Sequence, residues 1–251
     1  MKQIVLIIFL FILLQCVFIR AEAQMPAVQQ NQARFTKEIW GGIDLHSQGF
    51  GITFNYAKFL TYKKKRYYSF DIVGMHHEKE YKIFGSVDEN AKRYVYGKLN
   101  SFYVIRAGFG KRKIIYEKLR DKGLQISVNW TLGPSIGITK PVYLEVLKID
   151  GFGQVIGVSL EKYDPEAHNM FNIYGRGPWT RGLSEIRFHP GGAIKFGFEF
   201  EYGDERDVIK AIEIGAVVDA YPWPIPIMTE INNHFIFPTV YINIMMGVKK
   251  Y

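Results

Sequence analysis

A strict two-residue alternation between positions 124 and 132 constrains the fold of this chain more than any other feature. The odd positions of this stretch are small or polar, whereas the even positions are bulky and apolar: Leu124, Ile126, Val128, Trp130 and Leu132. Successive side chains of a strand point to opposite faces. The stretch therefore predicts a strand with one apolar face and one polar face.

The same alternation recurs along the chain often enough to close a barrel. Besides this stretch, which extends toward Ile138, alternating segments occur at about 38–46, 50–60, 67–75, 101–110, 193–203, 208–220 and 237–249. Each is near the roughly 9–11 residues that a tilted strand needs to cross a bilayer, and outer-membrane barrels start at eight strands. The predicted fold is all-β, an eight-stranded antiparallel up-and-down transmembrane β-barrel.

The charged residues on the polar faces favour this fold over a soluble barrel or β-sandwich, which would alternate in the same way. In a soluble barrel that buried these charges, ladders such as Phe196-Phe198-Phe200 would face water and promote aggregation. In a membrane barrel the opposite charges can pair across a narrow lumen. The predicted lumen residues are Asp44, Arg106, Lys195, Glu199, Glu201, Glu213 and Asp219.

The first residues predict export. Lys2 precedes an apolar run over residues 4–14, and Ala21-Glu22-Ala23 is a small-x-small cleavage site, so residues 1–23 are interpreted as a signal peptide. The only cysteine, Cys16, lies in that segment, and Gln15 before it disfavours a lipoprotein. Residues 24–37 are interpreted as a flexible lead-in and 38–251 as the barrel, located in the outer membrane of a Gram-negative bacterium.

The predicted connections alternate in length. Segments 76–100, 139–192 and 221–236 are long and would be external, since such barrels have short periplasmic turns and longer external loops. Segment 139–192 is rich in aromatic residues, which is unlike disorder, so we expect a folded cap. The candidate cap or partner-binding residues are Tyr163, Asp164, Tyr174, Arg176, Trp179, Arg181 and, in the last loop, Trp223.

Two interpretations of the cap arginines remain open. Arg176 and Arg181 could bind lipopolysaccharide phosphates or a partner's carboxylates by bidentate pairing. The alternative, which we favour, is that they pair with loop acids such as Asp164 and Glu166 and only hold the cap together.

The sequence assigns no catalytic residue, metal ligand or cofactor. Asp44, His46 and Ser47, or Ser184 with His189, contain the groups of a lipid-acylating or deacylating enzyme, but neither set has distinctive spacing. His76 and Glu78 share a strand face and could bind a metal with His168 or His189. We interpret them instead as surface loop residues.

The chain carries 32 Lys and Arg against 24 Asp and Glu, a net charge of +8. Basic runs at 63–66, 111–113 and 249–250 would lie at the periplasmic rim, where we expect them to anchor the barrel to anionic headgroups or to attract an acidic periplasmic protein. No aromatic-basic reading motif accompanies them, so nucleic acid is not an expected partner. The expected partners are outer-membrane lipids and other outer-membrane or periplasmic proteins.

The chain resembles the small outer-membrane barrels of the OmpA/OmpX-like class and, within them, a Bacteroidota-type barrel family. The resembling stretches are Asn100-Ser101-Phe102-Tyr103-Val104-Ile105-Arg106, Glu161-Lys162-Tyr163-Asp164-Pro165, Ile173-Tyr174-Gly175-Arg176-Gly177-Pro178 and Val218-Asp219-Ala220-Tyr221-Pro222. The resemblance implies an integral barrel that is an accessory to larger machinery, such as barrel assembly or protein secretion. It transfers no catalytic residue.

The expected function is therefore that of a non-enzymatic structural or accessory subunit of a larger outer-membrane complex. The alternatives are a lipid-modifying barrel enzyme and a narrow pore. The alternation also predicts that Val128 lies near the bilayer midplane, where Val128→Arg would cost about 2–4 kcal/mol.

Overall fold

The computed structural model describes residues 35–61, 63–84, 91–118, 123–152, 154–203, 207–229 and 232–251. Its strands, in chain order, are β1 (Lys37–His46), β2 (Gly49–Thr61), β3 (Lys64–Met75), β4 (Lys82–Ile83), β5 (Tyr94–Val95), β6 (Asn100–Tyr116), β7 (Gln125–Pro141), β8 (Tyr143–Ile149), β9 (Val155–Lys162), β10 (Ile173–Arg176), β11 (Arg187–Tyr202), β12 (Val208–Ala220) and β13 (Ile236–Lys250). The proposed signal peptide lies outside the described residues.

Eight of these strands form a closed antiparallel barrel, and the predicted fold is confirmed. The barrel contains β1, β2, β3, β6, β7, β11, β12 and β13, each paired with the next barrel strand along the chain, and β13 pairs with β1. Within the described residues, no helix is long and apolar enough to cross a membrane.

The strand register sets the tilt of the barrel. A path of direct cross-strand neighbours that leaves β13 at Lys250 passes through every barrel strand and returns to β13 at Val240, ten residues away. Such a shift means that the strands are strongly inclined to the barrel axis. Eight strands leave an interior that side chains can just fill.

The two faces of the strands separate as the alternation predicts. The apolar positions point outward and stay exposed, for example Ile43 on β1, Leu132 on β7 and Ile194 on β11. The polar positions between them point inward and are buried, for example Asp44 and Thr131.

Several strands are longer than the sequence patterns indicated. β6 continues to Tyr116 rather than ending near 110, and β11 begins at Arg187 rather than near 193. The alternation continues through the extension of β6. The inward position there is occupied by the charged Arg112, so the sequence pattern resembled a turn.

The depth predicted for Val128 was wrong. Its direct cross-strand neighbours are Phe198 and the exposed Lys113, which places it near the barrel end where β1 begins and β13 ends, here called the terminal end. Leu132, by contrast, lies between the outward apolar residues Phe109 and Ile194. Leu132 is therefore the better midplane position on this strand.

An apolar plug closes the opposite end of the barrel, here called the loop end. The connection between β12 and β13 turns inward and buries Ile225, Ile227 and Met228 against residues on the inner wall such as Phe102 and Val104. The predicted connection 221–236 therefore also reaches into the barrel, because its apolar side chains pack into the barrel mouth.

Backbone hydrogen bonds fix the plug to the chain that leads into β6. The Leu99 amide donates to the Ile227 carbonyl at 2.9 Å, and the Thr229 amide donates to the Gly97 carbonyl at 2.8 Å. Asn233 Oδ1 accepts the amides of Ile227 and Met228 at 2.9 and 3.2 Å.

A small folded cap stands on the loop end. Strands β8, β9 and β10 form a three-stranded antiparallel sheet with β8 in the middle, and β4 and β5 form a short hairpin. The cap has its own apolar core, which contains Tyr94 from β5 as well as Leu144, Val146 and Ile173 from the sheet. The long connection thus forms a folded structure between β7 and β11, as its aromatic content predicted.

Candidate functional site

The seven residues predicted to line the lumen all lie buried inside the barrel: Asp44, Arg106, Lys195, Glu199, Glu201, Glu213 and Asp219. Arg106 reaches across the lumen from β6 to Asp219 on β12 and binds both carboxylate oxygens, with Nε–Oδ1 at 2.9 Å and Nη2–Oδ2 at 2.7 Å. Lys195 Nζ lies 3.6 Å from Asp71 and 3.8 Å from Asp44.

Toward the terminal end, two more acids are neutralised by bases from other strands. Glu199 forms an ion pair with Arg112, and Glu201 Oε1 accepts Lys249 Nζ at 2.7 Å. Arg112 also lies over the Trp40 ring, with Cζ 4.3 Å from the ring centroid. Because pairing offsets the cost of burying these charges, the lumen can be filled by polar side chains and remain stable.

The sequence analysis missed three basic members of this network. Lys65, Arg112 and Lys249 belong to the basic runs, yet they are turned inward, and Lys65 Nζ lies 2.7 Å from Glu38 Oε1. The expectation that the whole runs face lipid headgroups was therefore wrong for every inward position. Extending the two-residue alternation through the runs would have found them.

The predicted cap residue Tyr163 is part of the cap core and is 5% exposed. Its ring centroid lies 6.3 Å from that of Tyr96, edge to face, and 6.1 Å from that of His168. Tyr174, on β10, is half-buried in the same small sheet. These aromatic residues hold the cap together.

Asp164 and the two arginines do not pair as the favoured interpretation supposed. Asp164 Oδ1 accepts the Glu166 amide at 3.0 Å and so shapes a local turn. Among the described residues, neither Arg176 nor Arg181 forms an ion pair with these acids. Both arginines are exposed on the cap surface.

Two tryptophans join the cap and the plug to the barrel rim. Trp179 Nε1 donates to the Tyr103 hydroxyl at 3.1 Å, and Lys140 Nζ donates to the Trp179 carbonyl at 3.0 Å. Trp223, in the plug connection, donates through Nε1 to His189 Nδ1 at 3.1 Å. Both residues were predicted as partner-binding candidates, and both make contacts that position loops.

Ion pairing also fixes the edge of the cap sheet. Lys162 Nζ donates to Glu185 Oε2 at 2.6 Å, and the Tyr143 hydroxyl donates to Oε1 of the same carboxylate. These hydrogen bonds lower the pKa of Glu185 below its ordinary range, and the bond from Lys162 has the largest effect. Glu185 lies in a 3-10 turn, Leu183–Glu185, so the bonds tie this turn to β8 and β9.

The far tip of the cap sheet carries exposed apolar residues that the sequence analysis did not single out. Phe152 is 94% exposed and Phe171 is 90% exposed. Each lies in a turn that a side-chain hydrogen bond holds: Asp150 Oδ1 accepts the Phe152 amide, and Asn169 Oδ1 accepts the Phe171 amide, both at 2.9 Å.

The register places the two phenylalanines at the same end of the sheet. The pair Ile149–Val155 ends the β8–β9 ladder just before the turn of Phe152. The Leu147 amide donates to the Asn172 carbonyl at 2.8 Å, so Phe171 lies beside the end of β8. Ile149, Phe152, Val155, Ile156, Met170 and Phe171 are all exposed here and are called the cap tip.

The candidate catalytic groups are engaged in other contacts. Asp44 points into the lumen toward Lys195, whereas His46 Nδ1 accepts the Gln48 amide at 3.3 Å. His189 is hydrogen-bonded through both ring nitrogens, Nδ1 to Trp223 and Nε2 to Thr139 Oγ1 at 2.9 Å.

A cavity of about 450 Å³ lies beside Ser184 and is lined by residues of the cap, including Tyr143 and Arg181. A second cavity, of about 370 Å³, is lined by His76, His77 and His234 among others. In the described part of the chain, no group of three His, Cys, Asp or Glu side chains is arranged to hold a metal ion.

Burial and the neighbouring His234 lower the pKa of His77. The two rings are nearly parallel, with their centroids 5.9 Å apart. The fold therefore favours the neutral form of His77.

These features define the class: an eight-stranded antiparallel β-barrel with a filled lumen, a plugged mouth and a folded cap. No protein-family model and no curated protein matches the chain.

Three solved structures illustrate the similarity that the barrel has to known folds. Ail, the attachment invasion locus protein of Yersinia pestis, is 11% identical, with 86% of this chain and 99% of that chain covered and a TM-score of 0.42. Neisserial surface protein A is 8% identical, with 86% of this chain and 96% of that chain covered and a TM-score of 0.40. The N-terminal β-barrel domain of Pseudomonas aeruginosa OprF is 8% identical, with 87% of this chain and 99% of that chain covered and a TM-score of 0.36. At these identities and TM-scores the comparison does not indicate a function, so the function is inferred from the geometry of this chain alone.

Proposed function

We propose that this protein is a non-enzymatic integral outer-membrane β-barrel that serves as an accessory subunit of a larger outer-membrane complex. Its barrel is the membrane anchor, and its cap is the part that binds another protein. The terminal end then faces the periplasm, and the loop end with its cap faces outward.

The outer surface of the barrel supports membrane insertion. Large apolar side chains are exposed on all eight barrel strands, for example Phe54 on β2, Phe70 on β3 and Ile242 on β13. A soluble monomer rarely exposes an apolar surface that continues around the whole molecule. Lipid chains remove this cost, because closed strands satisfy their backbone groups internally.

The interior argues against transport as the main role. Arg106 and Asp219 span the lumen, and Ile225 and Ile227 close its mouth. A solute would have to break ion pairs and displace the plug. We therefore expect planar-bilayer recordings of the purified protein to be silent, and sustained conductance would contradict this view of the interior.

The observation that carries the proposal is the exposure of aromatic residues at the cap tip on turns that side-chain hydrogen bonds hold. Phe152 and Phe171 are almost fully exposed although their turns are held by Asp150 and Asn169. Burial of large aromatic side chains dominates many protein interfaces, and a preorganised turn loses little entropy on binding. The cap tip thus fits a partner protein that offers an apolar pocket.

The test combines a cross-linker with matched variants. A photoreactive residue at position 152 should capture one partner protein in intact cells, and Phe152→Ser with Phe171→Ser should reduce recovery of that partner at least tenfold after gentle solubilisation. Tyr81→Ser, an exposed aromatic residue of another external loop, is the control and should leave recovery unchanged. Purification of the barrel always alone, or equal recovery from the tip and control variants, would reject the proposal.

A further inference from the structure

Seven basic side chains form an outward-facing belt near the terminal end of the barrel. All seven are exposed, and they come from five neighbouring strands, β13, β1, β2, β3 and β6. This basic belt consists of Lys37, Lys58, Lys64, Arg66, Lys111, Lys113 and Lys250.

The strand register sets like charges directly beside one another in the belt. Lys250 faces Lys37, Lys37 faces Lys58, Lys58 faces Arg66, and Arg66 faces Lys111. Lys64 faces Lys113 in a second row. Like charges at opposed positions of a sheet destabilise it, so an unneutralised belt costs stability.

The inward members of the same basic runs have carboxylate partners, which the belt residues lack among the described residues. Lys65, Arg112 and Lys249 each have a carboxylate partner from another strand. In the described part of the chain, none of the seven belt residues forms an ion pair. Arg66 and Lys111 instead lie over aromatic rings, 5.6 Å from Phe109 and 6.0 Å from Trp130.

The belt borders the apolar outer surface on the side of the loop end. The next outward residues toward the loop end are apolar or aromatic, such as Ile39 after Lys37, Tyr68 after Arg66 and Phe109 before Lys111. In the membrane orientation of the proposed function, on which this step depends, the belt lies on the periplasmic side of the barrel and rises along the tilted row from Lys250 to Lys111, where its long side chains can extend to the phosphates of the inner leaflet. Phosphate oxygens accept hydrogen bonds from ammonium and guanidinium groups and neutralise them.

We propose that the basic belt binds the headgroup phosphates of anionic phospholipids in the inner leaflet. A phosphate between two cross-strand neighbours contacts both and relieves their repulsion. The belt itself covers one side of the barrel, and the ends of β7 and β11 instead present Ile126, Phe200 and Tyr202. The belt thus orders a specific lipid shell along β13, β1, β2, β3 and β6.

The experiment uses the full mature protein, refolded into nanodiscs of phosphatidylcholine with an equal share of phosphatidylglycerol. Lipids retained on gentle release are counted by native mass spectrometry. The belt variant carries Lys37→Gln, Lys58→Gln, Arg66→Gln and Lys111→Gln. The control variant loses the same charge in exposed external loops and the cap, through Lys79→Gln, Lys82→Gln, Lys92→Gln and Lys148→Gln.

The wild type and the control should retain phosphatidylglycerol over phosphatidylcholine by at least about tenfold, given the attraction of an anionic surface for each basic residue. The belt variant should lose this preference. In zwitterionic detergent, where no anionic headgroup is present, the belt variant should resist urea as well as the wild type or better, because the repulsion is gone.

Two results would overturn the proposal. An unchanged preference for phosphatidylglycerol in the belt variant excludes lipid binding at the belt. An equal loss of this preference in the belt and control variants shows only an effect of net charge. If the belt prediction fails while the cap tip still captures its partner, only the lipid site is rejected, because the nanodiscs contain no other protein.

Discussion

The ion pair between Arg106 and Asp219 offers the sharpest test of how the barrel is held together. Asp219→Asn keeps the size of the side chain but removes its charge. Arg106 would stay buried, with 4% of its side chain exposed, but would lose its ion pair and one of its two hydrogen bonds to β12, because an amide offers a single acceptor oxygen. Breaking one partner of a buried pair usually costs about 3–5 kcal/mol.

The surroundings of Arg106 place the expected value at the low end of this range. Asp71 is the direct cross-strand neighbour of Arg106, and both point inward, so part of the countercharge remains. We expect about 3 kcal/mol, which is more than a hundredfold in the unfolding equilibrium at about 1.4 kcal/mol per factor of ten. Replacing both partners by apolar residues, as in R106M/D219L, should restore most of the stability or exceed it.

The assay is reversible urea unfolding of the barrel in lipid vesicles, followed by tryptophan fluorescence and by heat-modifiable migration on a gel. The reasoning predicts that the single variant is the least stable of the three proteins, and that all have similar urea dependence. It is refuted if Asp219→Asn costs less than about 1 kcal/mol, or if the double variant is less stable than the single one.

Three further predictions concern the bilayer, the plug and the loop end. Leu132→Arg should cost about 2–4 kcal/mol and Val128→Arg only about 0–1, in the same urea assay, because Leu132 lies deeper; equal costs would contradict the depths. Ile225→Ala should lower the local opening free energy of the plug by about 2–5 kcal/mol, with unchanged exchange of barrel amides, as measured by hydrogen exchange. The pKa of His77 is lowered, so the stability from its neutral form is complete above the ordinary value of 6.5 and is lost as the pH falls through the lowered value. The protection factors of amides around His234, which correct for the slower intrinsic exchange in acid, should therefore fall on acidification below pH 6.5 and fall less in His77→Gln.

The architecture was predictable from the sequence because strand alternation is a local property. Leu124 to Leu132 already distinguishes an apolar from a polar face, and eight such segments predict a closed barrel. The same rule places Asp219 and Arg106 inside, since each occupies a polar position of its strand. It does not tell which acid meets which base.

The charged extensions of the strands were not predicted from the local sequence pattern. The run 111–113 resembled a solvated turn because three successive residues are basic. In the barrel, Lys111 and Lys113 point outward while Arg112 points inward to Glu199. The partner lies 87 residues further along the chain, from position 112 to 199.

The sequence alone determined the barrel, its two faces and the presence of a folded cap, because these depend on periodicity and composition within short segments. Only the tertiary structure decided the ion pairs across the lumen, the inward turn of Ile225 and Ile227, and the exposed Phe152 and Phe171 of the cap tip. It also brought Lys37, Lys58 and Arg66 into one row through the strand register. These features depend on contacts between segments far apart in the chain, which closure of the barrel brings together.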